Sequence, residues 1–184
     1  MKNIEISRPK FEDIELINEF FQIVLRDTFE RNGISDLVDI IVEEIEDKRK
    51  CLNQDIESHG KNRYFLIAKE YDKIVGSIEY GPSNELIISC TNGKFKELVE
   101  IGTVFVHPDY QNKGIGSRML NLIFSHLEKN RISEFCLDSG YKSAQKTWIK
   151  KFGSPEYNLK DYWGEDDNHM VWRVSVEDVL EQTK

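Results

Sequence analysis

The segment Val104–Leu120, VFVHPDYQNKGIGSRML, is the stretch of this sequence that says most about its fold. It begins inside the run 103–106, TVFV, whose β-branched and aromatic residues favour a strand, and Pro108 ends the strand's ladder. After Gly116, apolar residues recur at the spacing of one helical face: Leu120, Ile123, Phe124 and Leu127. The segment therefore predicts a strand, a glycine-containing loop and a helix in direct succession.

The loop between strand and helix, Gln111–Gly116, has the properties of an anion site. The first amides of a helix have no intrahelical acceptor, and the helix dipole places positive potential there. Gly114 and Gly116 would let the backbone approach phosphate oxygens without an intervening Cβ. We therefore expect a phosphorylated cofactor; the alternative is an ordinary tight turn between a strand and a helix.

The spacing of the loop residues narrows the choice of cofactor. A dinucleotide-binding fingerprint would need a third glycine where Met119 stands, and a P-loop would need the lysine after the glycine, whereas Lys113 precedes Gly114. The remaining pattern, Q-x-x-G-x-G, resembles the acetyl-coenzyme A loop of the GNAT superfamily of N-acetyltransferases. The whole segment Val104–Leu120 is similar to the central motif of that family. The resemblance extends over roughly Ile4–Arg173, although only the central motif is specific.

This resemblance implies an α/β (α+β) fold, with a mixed, mostly antiparallel sheet of six to seven strands flanked by about four helices. We expect a single N-acetyltransferase domain over residues 1–184. Hydrophobic periodicity and turn signals agree with that order of elements. The predicted strands lie near 4–6, 64–68, 74–80, 86–89, 98–106, 131–137 and 170–174. The predicted helices cover about 11–25, 36–60, the stretch after Gly116, and 143–152. Asn92-Gly93 is a hairpin signal between two of these strands.

The resemblance also implies which residues hold acetyl-CoA. The pyrophosphate loop corresponds to Gln111, Asn112, Lys113, Gly114, Ile115 and Gly116, with Ser117 and Arg118 on the first helical turn. Arg118 either pairs with a phosphate or is an ordinary exposed helix residue. The pantetheine arm would bond the backbone of Val104, Phe105 and Val106, and Gly102 would mark a bulge in that strand.

Acetyl transfer to an amine needs a base, because an amine with a pKa of about 10.4 is almost entirely protonated at neutral pH. Glu100 lies where several family members carry a glutamate for this task. Glu97 is a rival on the opposite face of a regular strand, and either glutamate could simply be solvated.

The general acid is where the sequence departs from the family pattern. The position of the family's tyrosine is occupied by Trp148, which could pack against the thioester but cannot protonate sulfur. Tyr141, just before the same helix, is a possible substitute, as is water. Cys136 lies within a predicted strand and is expected to be a small buried hydrophobe rather than a nucleophile.

The C-terminal region is rich in aromatic residues, including Tyr162, Trp163 and Trp172, around an acidic turn at residues 165–167. These groups could form a cage for an ammonium ion. We favour a hairpin whose rings cover the sheet and whose acidic turn faces water. The histidines are not at metal-ligand spacing, so no metal is predicted.

Composition limits the remaining possibilities. A chain of 184 residues with 39% hydrophobic content suffices for one core, and its net charge of −8 disfavours nucleic-acid partners while mildly favouring a cationic substrate. No apolar run is long enough to span a membrane, and Met1–Ile6 does not read as a signal peptide. Three scattered cysteines argue against disulfides or zinc and for a reducing cytoplasm.

The predicted activity is transfer of an acetyl group from acetyl-CoA to a primary amine of a small molecule or peptide, by direct attack in a ternary complex. No activated cysteine or serine is evident that would favour an acetyl-enzyme. The alternative is a non-catalytic acyl-CoA sensor on a degenerate GNAT fold. Trp148 in the position of the family's tyrosine is compatible with such a sensor. The chain is expected to be cytoplasmic and either a monomer or a homodimer.

Overall fold

The computed structural model describes residues 4–182, so the first three residues of Met1–Ile6, the segment considered above as a signal peptide, lie outside the described residues. The strands are β1 (Ile4–Ser7), β2 (Tyr64–Glu70), β3 (Lys73–Pro82), β4 (Val99–Val106), β5 (Glu134–Ser139), β6 (Tyr157–Gly164) and β7 (Asp167–Ser175). The helices are α1 (Ile14–Arg31), α2 (Val38–Ser58), α3 (Glu85–Cys90), α4 (Ile115–Lys129), α5 (Lys142–Phe152) and α6 (Val176–Glu181).

The strands form one seven-stranded sheet in the order β1-β2-β3-β4-β5-β7-β6. β2 pairs antiparallel with β1 and β3, β7 pairs antiparallel with β5 and β6, and β4 pairs parallel with β5. The predicted mixed, mostly antiparallel sheet is confirmed. The described residues contain six α-helices rather than about four, because α3 and α6 are six-residue helices whose sequences are too short to show a helical period.

The chain divides into two compact units. The first comprises the described residues up to Gly81 together with Gly102–Ile123, and the second comprises Pro82–Ile101 together with the described residues from Phe124 onward. The prediction of a single domain stays a prediction.

The core of the first unit lies where α1 and α2 pack on β2 and β3. Apolar residues of α1 fall on one face, as the period of the sequence predicted, and they meet the inward residues of the strands. The buried residues of this cluster are Ile17, Phe20, Phe21, Val24, Leu52, Phe65, Ile67 and Ile74. In the second unit, Phe124 stacks on Phe135 with ring centroids 5.5 Å apart, and a further cluster joins Ile87, Phe95, Cys136 and Val171.

The predicted strand over residues 86–89 is wrong, because that segment is the helix α3. The Asn84 side chain accepts a hydrogen bond from the Ile87 amide at 2.8 Å, which caps the first turn of the helix. The Asn92-Gly93 pair is accordingly a helix terminus and not a hairpin turn. Both residues have positive φ, and the Gly93 amide donates to the Ile88 carbonyl at 2.8 Å, as helix C-termini commonly require.

The C-terminal hairpin is confirmed as β6 and β7, which pair antiparallel around a turn at residues 165–166. Its rings do not all cover the sheet, however. Trp172 is 1% exposed, whereas Tyr162 is 42% and Trp163 56% exposed. No helix within residues 4–182 is both long enough and apolar enough to cross a membrane.

Candidate active site

The predicted succession of strand, loop and helix is present between β4 and α4. β4 ends at Val106, and a 3₁₀ turn over Pro108–Tyr110 follows. The buried His107 caps this turn, since its Nδ1 accepts from the Asp109 amide at 3.3 Å. The Arg118 amide donates to the Gly114 carbonyl at 3.0 Å, which makes Gly114 the residue that precedes the helix. The next three amides, from 115 to 117, therefore form the open N-terminal turn of α4.

The backbone conformation of the loop explains why residue 114 is a glycine. Gly114 has a φ of +76°, which L-residues with a side chain rarely adopt, and a Cβ built there would meet nothing within 4 Å. A Cβ at Gly116 would lie 3.6 Å from Val106 Cγ2, which is an ordinary contact. The protein itself therefore leaves open the space beside Gly114 that a phosphate group would need.

Side chains of the first unit brace this loop. Gln111 Nε2 donates to the Val106 carbonyl at 3.3 Å, and Arg31 at the end of α1 donates to Gln111 Oε1 at 2.7 Å. Lys113 Nζ donates to the Asp109 carbonyl at 2.6 Å and lies 4.8 Å from the ring centroid of Tyr110. Gln111 thus links the loop to β4 and α1. The family motif indicates the glutamine, but only the structure shows these two partners.

The first helical turn carries exposed polar side chains. Ser117 and Arg118 are both exposed, as is Asn112, which has a φ of +59°. Arg118 Nη2 donates to the Ile4 carbonyl at 3.3 Å. Lys113 and Arg118 thus place two cationic groups on the loop and on the first turn of α4, and Ile115 is buried beneath them.

A left-handed backbone conformation occurs within β4 at Thr103, next to Gly102, where the bulge was predicted. Thr103 has a φ of +52°, and its carbonyl accepts from Ser77 Oγ at 2.9 Å. Its hydroxyl donates to Glu79 Oε1 at 3.2 Å, and Arg63 Nη1 contacts Glu79 Oε2 at 2.5 Å. Burial raises the pKa of Glu79 above its ordinary value, although the Arg63 charge opposes that rise.

This buried group of polar residues was missed from the sequence, where a lone glutamate in a strand gives no signal. After Thr103, Val104, Phe105 and Val106 are half-buried, and the Phe105 ring lies edge-on to Phe21 with centroids 6.4 Å apart.

Glu100, the candidate base, lies on the part of β4 that belongs to the second unit. It is 9% exposed, and both carboxylate oxygens accept hydrogen bonds from Asn84: the amide at 2.8 Å and Nδ2 at 3.0 Å. Its rival Glu97 is exposed and lies in the turn before β4, so the opposite-face argument does not apply to it.

Cys136 pairs with Glu100 across the parallel ladder and is fully buried. Burial raises the pKa of its thiol to about 12, so it stays protonated at neutral pH. This agrees with its expected role as a small buried side chain.

Trp148 and Tyr141 belong to α5 and its start. Trp148 is 9% exposed and stacks on Phe152, with centroids 5.7 Å apart and planes 13° apart. Phe152 in turn lies edge-on to Phe124 and Phe135. Tyr141 is the half-buried residue that precedes α5; its amide bonds Ser139 Oγ at 3.1 Å and its carbonyl accepts from the Gln145 amide at 2.9 Å.

Asp138 is a titratable residue of this region that no sequence motif indicates. Asp138, on β5, lies 3.1 Å from Nε2 of the buried His169, and the indole of Trp163 donates to His169 Nδ1 at 3.2 Å. Neither spacing nor local pattern connects these three residues, because they come from different strands. Within residues 4–182 there is no group of three or more His, Cys, Asp or Glu that could hold a metal ion.

Comparison with known proteins matches residues 25–154 to the family described as acetyltransferase (GNAT). The sequence matches no curated protein significantly. Among solved structures, one described as a GNAT-family acetyltransferase from Desulfovibrio desulfuricans is 16% identical, with a TM-score of 0.69 over 95% of this chain and 99% of the other. PaiA N-acetyltransferase from Thermoplasma acidophilum, in complex with coenzyme A, is 19% identical, with a TM-score of 0.67 over 94% and 99%.

A third similar structure is YncA from Salmonella typhimurium with its cofactor acetyl-CoA, 14% identical, with a TM-score of 0.65 over 95% of each chain. At these identities the structures show the shared fold. The family match spans well over half of the 184 residues and includes the loop, β4 and α4. The chain therefore belongs to the GNAT family of acetyltransferases.

Proposed function

We propose that this acetyltransferase moves an acetyl group from acetyl-CoA to a primary amine of a small molecule or peptide. The observation that carries the proposal is the loop before α4, where Gly114 at positive φ leaves open space next to the amides of a helix N-terminus. An anionic pyrophosphate is the kind of group that such a site stabilises. Coenzyme A and acetyl-CoA in two structures of the same fold support this choice.

We assign each part of the cofactor to residues of this chain as follows. Gln111, Asn112, Lys113, Gly114, Ile115 and Gly116 would hold the pyrophosphate mainly through backbone amides, with Ser117 and Arg118 at its edge. The Lys113 and Arg118 charges add attraction for an anion. The backbone of Val104, Phe105 and Val106 would bond the pantetheine arm, and Trp148 would contribute an apolar wall for the acyl group.

In the proposed reaction the amine nitrogen attacks the thioester carbonyl, the C–N bond forms, and the C–S bond breaks. Glu100 would accept the proton that the amine loses, directly or through water. The departing thiolate would take a proton from Tyr141 or from water. The three free cysteines agree with a reducing, cytoplasmic setting.

The cofactor site is tested by Gly114→Val, with Gly93→Val as a matched control. Both glycines have φ near +78° (76° and 79°) and open space around a built Cβ, so the backbone strain is the same in the two variants. Only Gly114→Val places a side chain where the pyrophosphate is proposed to lie. We expect its affinity for coenzyme A, measured by calorimetry, to fall by at least about tenfold, which is about 1.4 kcal/mol.

Equal affinities in the two variants, both shown to be folded by circular dichroism, would refute the proposed cofactor site. A second candidate function, acyl-CoA sensing without turnover, predicts normal coenzyme A binding and no amine-dependent thiol release. A thiol-release assay over a panel of amines and peptides separates the two functions.

A further inference from the structure

The second unit contains an ordered array of polar and aromatic side chains with no part in the function proposed so far. It consists of Asp138, His169, Trp163 and Tyr162, which come from β5, β6 and β7. His169 is 2% exposed, so both of its ring nitrogens must find partners inside the protein. They do so with Trp163 on one side and Asp138 on the other.

The identity of the partners fixes the tautomer of His169. An indole N–H can only donate, so Nδ1 of His169 is the acceptor and carries no proton. The ring proton therefore lies on Nε2, from which it is donated to Asp138 Oδ2 at 3.1 Å. The buried imidazole therefore holds Asp138 in a fixed orientation. The Asp138 side chain is 17% exposed, so solvent and solutes still reach it.

The same contacts hold the indole of Trp163 at the surface. Its Nε1 lies 2.7 Å from the position of a Cβ built on Gly140, so the ring occupies space that any other residue at 140 would fill. Tyr162 lies edge-on to it, with centroids 4.8 Å apart. Both rings remain substantially exposed, and they contact each other. Contiguous exposed apolar surface of this kind commonly marks a binding site.

A carboxylate and two exposed aromatic rings, held around one buried imidazole, are suited to an organic cation. The faces of tryptophan and tyrosine attract ammonium groups, and a carboxylate supplies the counter-charge. We propose that Asp138, Trp163 and Tyr162 bind a cationic ammonium group of the acceptor, and that His169 is the positioning residue that orients Asp138 and Trp163. The inference rests on the proposed acetylation of an amine and names the acceptor class as one that carries a second ammonium group.

The test compares two acceptors that differ only in that second charge: cadaverine, and the amino alcohol of the same chain length. We expect the wild-type protein to prefer cadaverine by at least about tenfold in kcat/KM, which corresponds to about 1.4 kcal/mol. Asp138→Asn should reduce the preference to about twofold, the statistical factor that the two equivalent amines of cadaverine leave, and should not change the KM for acetyl-CoA. Glu165→Gln is the control, because it removes the same charge from the exposed turn of the hairpin.

A binding measurement keeps the test independent of turnover. Cadaverine should change the intrinsic tryptophan fluorescence saturably, and the change should be absent in Trp163→Phe and at least about tenfold weaker in Asp138→Asn. The inference is overturned if the two acceptors bind alike, if Asp138→Asn has no effect, or if Glu165→Gln has the same effect. If neither amine is acetylated, acetyl transfer to these acceptors is refuted, and the fluorescence titration still decides whether the cation site exists.

Discussion

The carboxylate of Glu100 is held more firmly than a solvated strand residue would be. Asn84 donates to both of its oxygens while also capping α3, so a single asparagine orients the candidate base and begins a helix. An approaching amine would therefore meet a carboxylate whose rotamer is already fixed. The exposed Glu97 has no such support among the contacts described above.

Glu100→Gln should lower kcat by about 10²–10⁴ and leave the affinity for coenzyme A intact. The amide keeps the shape of the side chain but cannot take a proton, and the acidic limb of the pH–rate profile should disappear. It can also accept only one of the two Asn84 hydrogen bonds, so the melting temperature must be measured in parallel. Glu97→Gln serves as the control, and a Glu100→Gln protein with the full rate at neutral pH would place the base elsewhere.

At the scale of elements, α5 brings an indole into an aromatic cluster. Trp148 stacks on Phe152, and Phe152 contacts the rings from α4 and β5. The indole is therefore part of the packing of the second unit, whatever it contributes to acyl-group binding.

Trp148→Phe should keep most of the activity, because an aromatic ring still stacks on Phe152 and the indole is proposed to donate no proton. Trp148→Ala should raise the KM for acetyl-CoA or admit longer acyl chains, and it should cost roughly 3–5 kcal/mol of stability through the cavity it leaves. Steady-state kinetics with acetyl- and butyryl-CoA, together with chemical denaturation, measure both effects. A Trp148→Phe protein that binds coenzyme A normally but has no activity would show that the indole has a chemical role.

The stability of the folded protein should depend on pH through His107, which lies in the turn between β4 and the loop. Burial lowers the pKa of His107, and the Lys73 charge lowers it further. As the pH falls, His107 therefore becomes protonated in the unfolded chain before it does so in the folded protein. The stability that neutral His107 contributes begins to be lost below about pH 6.5, the pKa of the unfolded state. The loss continues until the pH passes the lower pKa of the folded state.

His107→Asn keeps a side-chain acceptor for the Asp109 amide and removes the titration. Denaturation midpoints from pH 8 down to about pH 5 should fall more steeply for the wild type than for this variant. Parallel curves for the two proteins would mean that His107 does not titrate as described.

At the scale of the whole molecule, the net charge of −8 favours encounters with cations. It does not by itself locate a site, since an acidic surface also serves solubility. If the acceptor carries two ammonium groups, as proposed, this net charge should make its kcat/KM depend on salt.

The kcat/KM for cadaverine should fall as sodium chloride rises from about 20 mM to about 200 mM, because salt screens long-range attraction. The fall should be steeper for cadaverine than for the singly charged amino alcohol. Equal salt dependence for the two acceptors would show that the second charge is not attracted by the protein.

The sequence by itself determined the elements whose signals are local. The order β4, loop, α4 follows from a β-branched run, a proline, two glycines and a helical period, and the structure has it at Val99–Val106 and Ile115–Lys129. The period of α1 and the strand-forming residues of β2 and β3 were equally visible. The family could be inferred for the same reason, since its specific motif lies within one continuous segment.

Only the tertiary structure decided the features that depend on residues distant in sequence. Residues 86–89 have a strand-like composition but form α3, because Asn84 caps that helix while it holds Glu100. Thr103 has a positive φ, and Ser77 and Glu79, which come from a different strand, hold its carbonyl and hydroxyl. Asp138 and His169 are 31 residues apart and meet only because β5 and β7 pair. Hydrogen bonds of this kind depend on where strands are brought together, and no local pattern in the sequence encodes that arrangement.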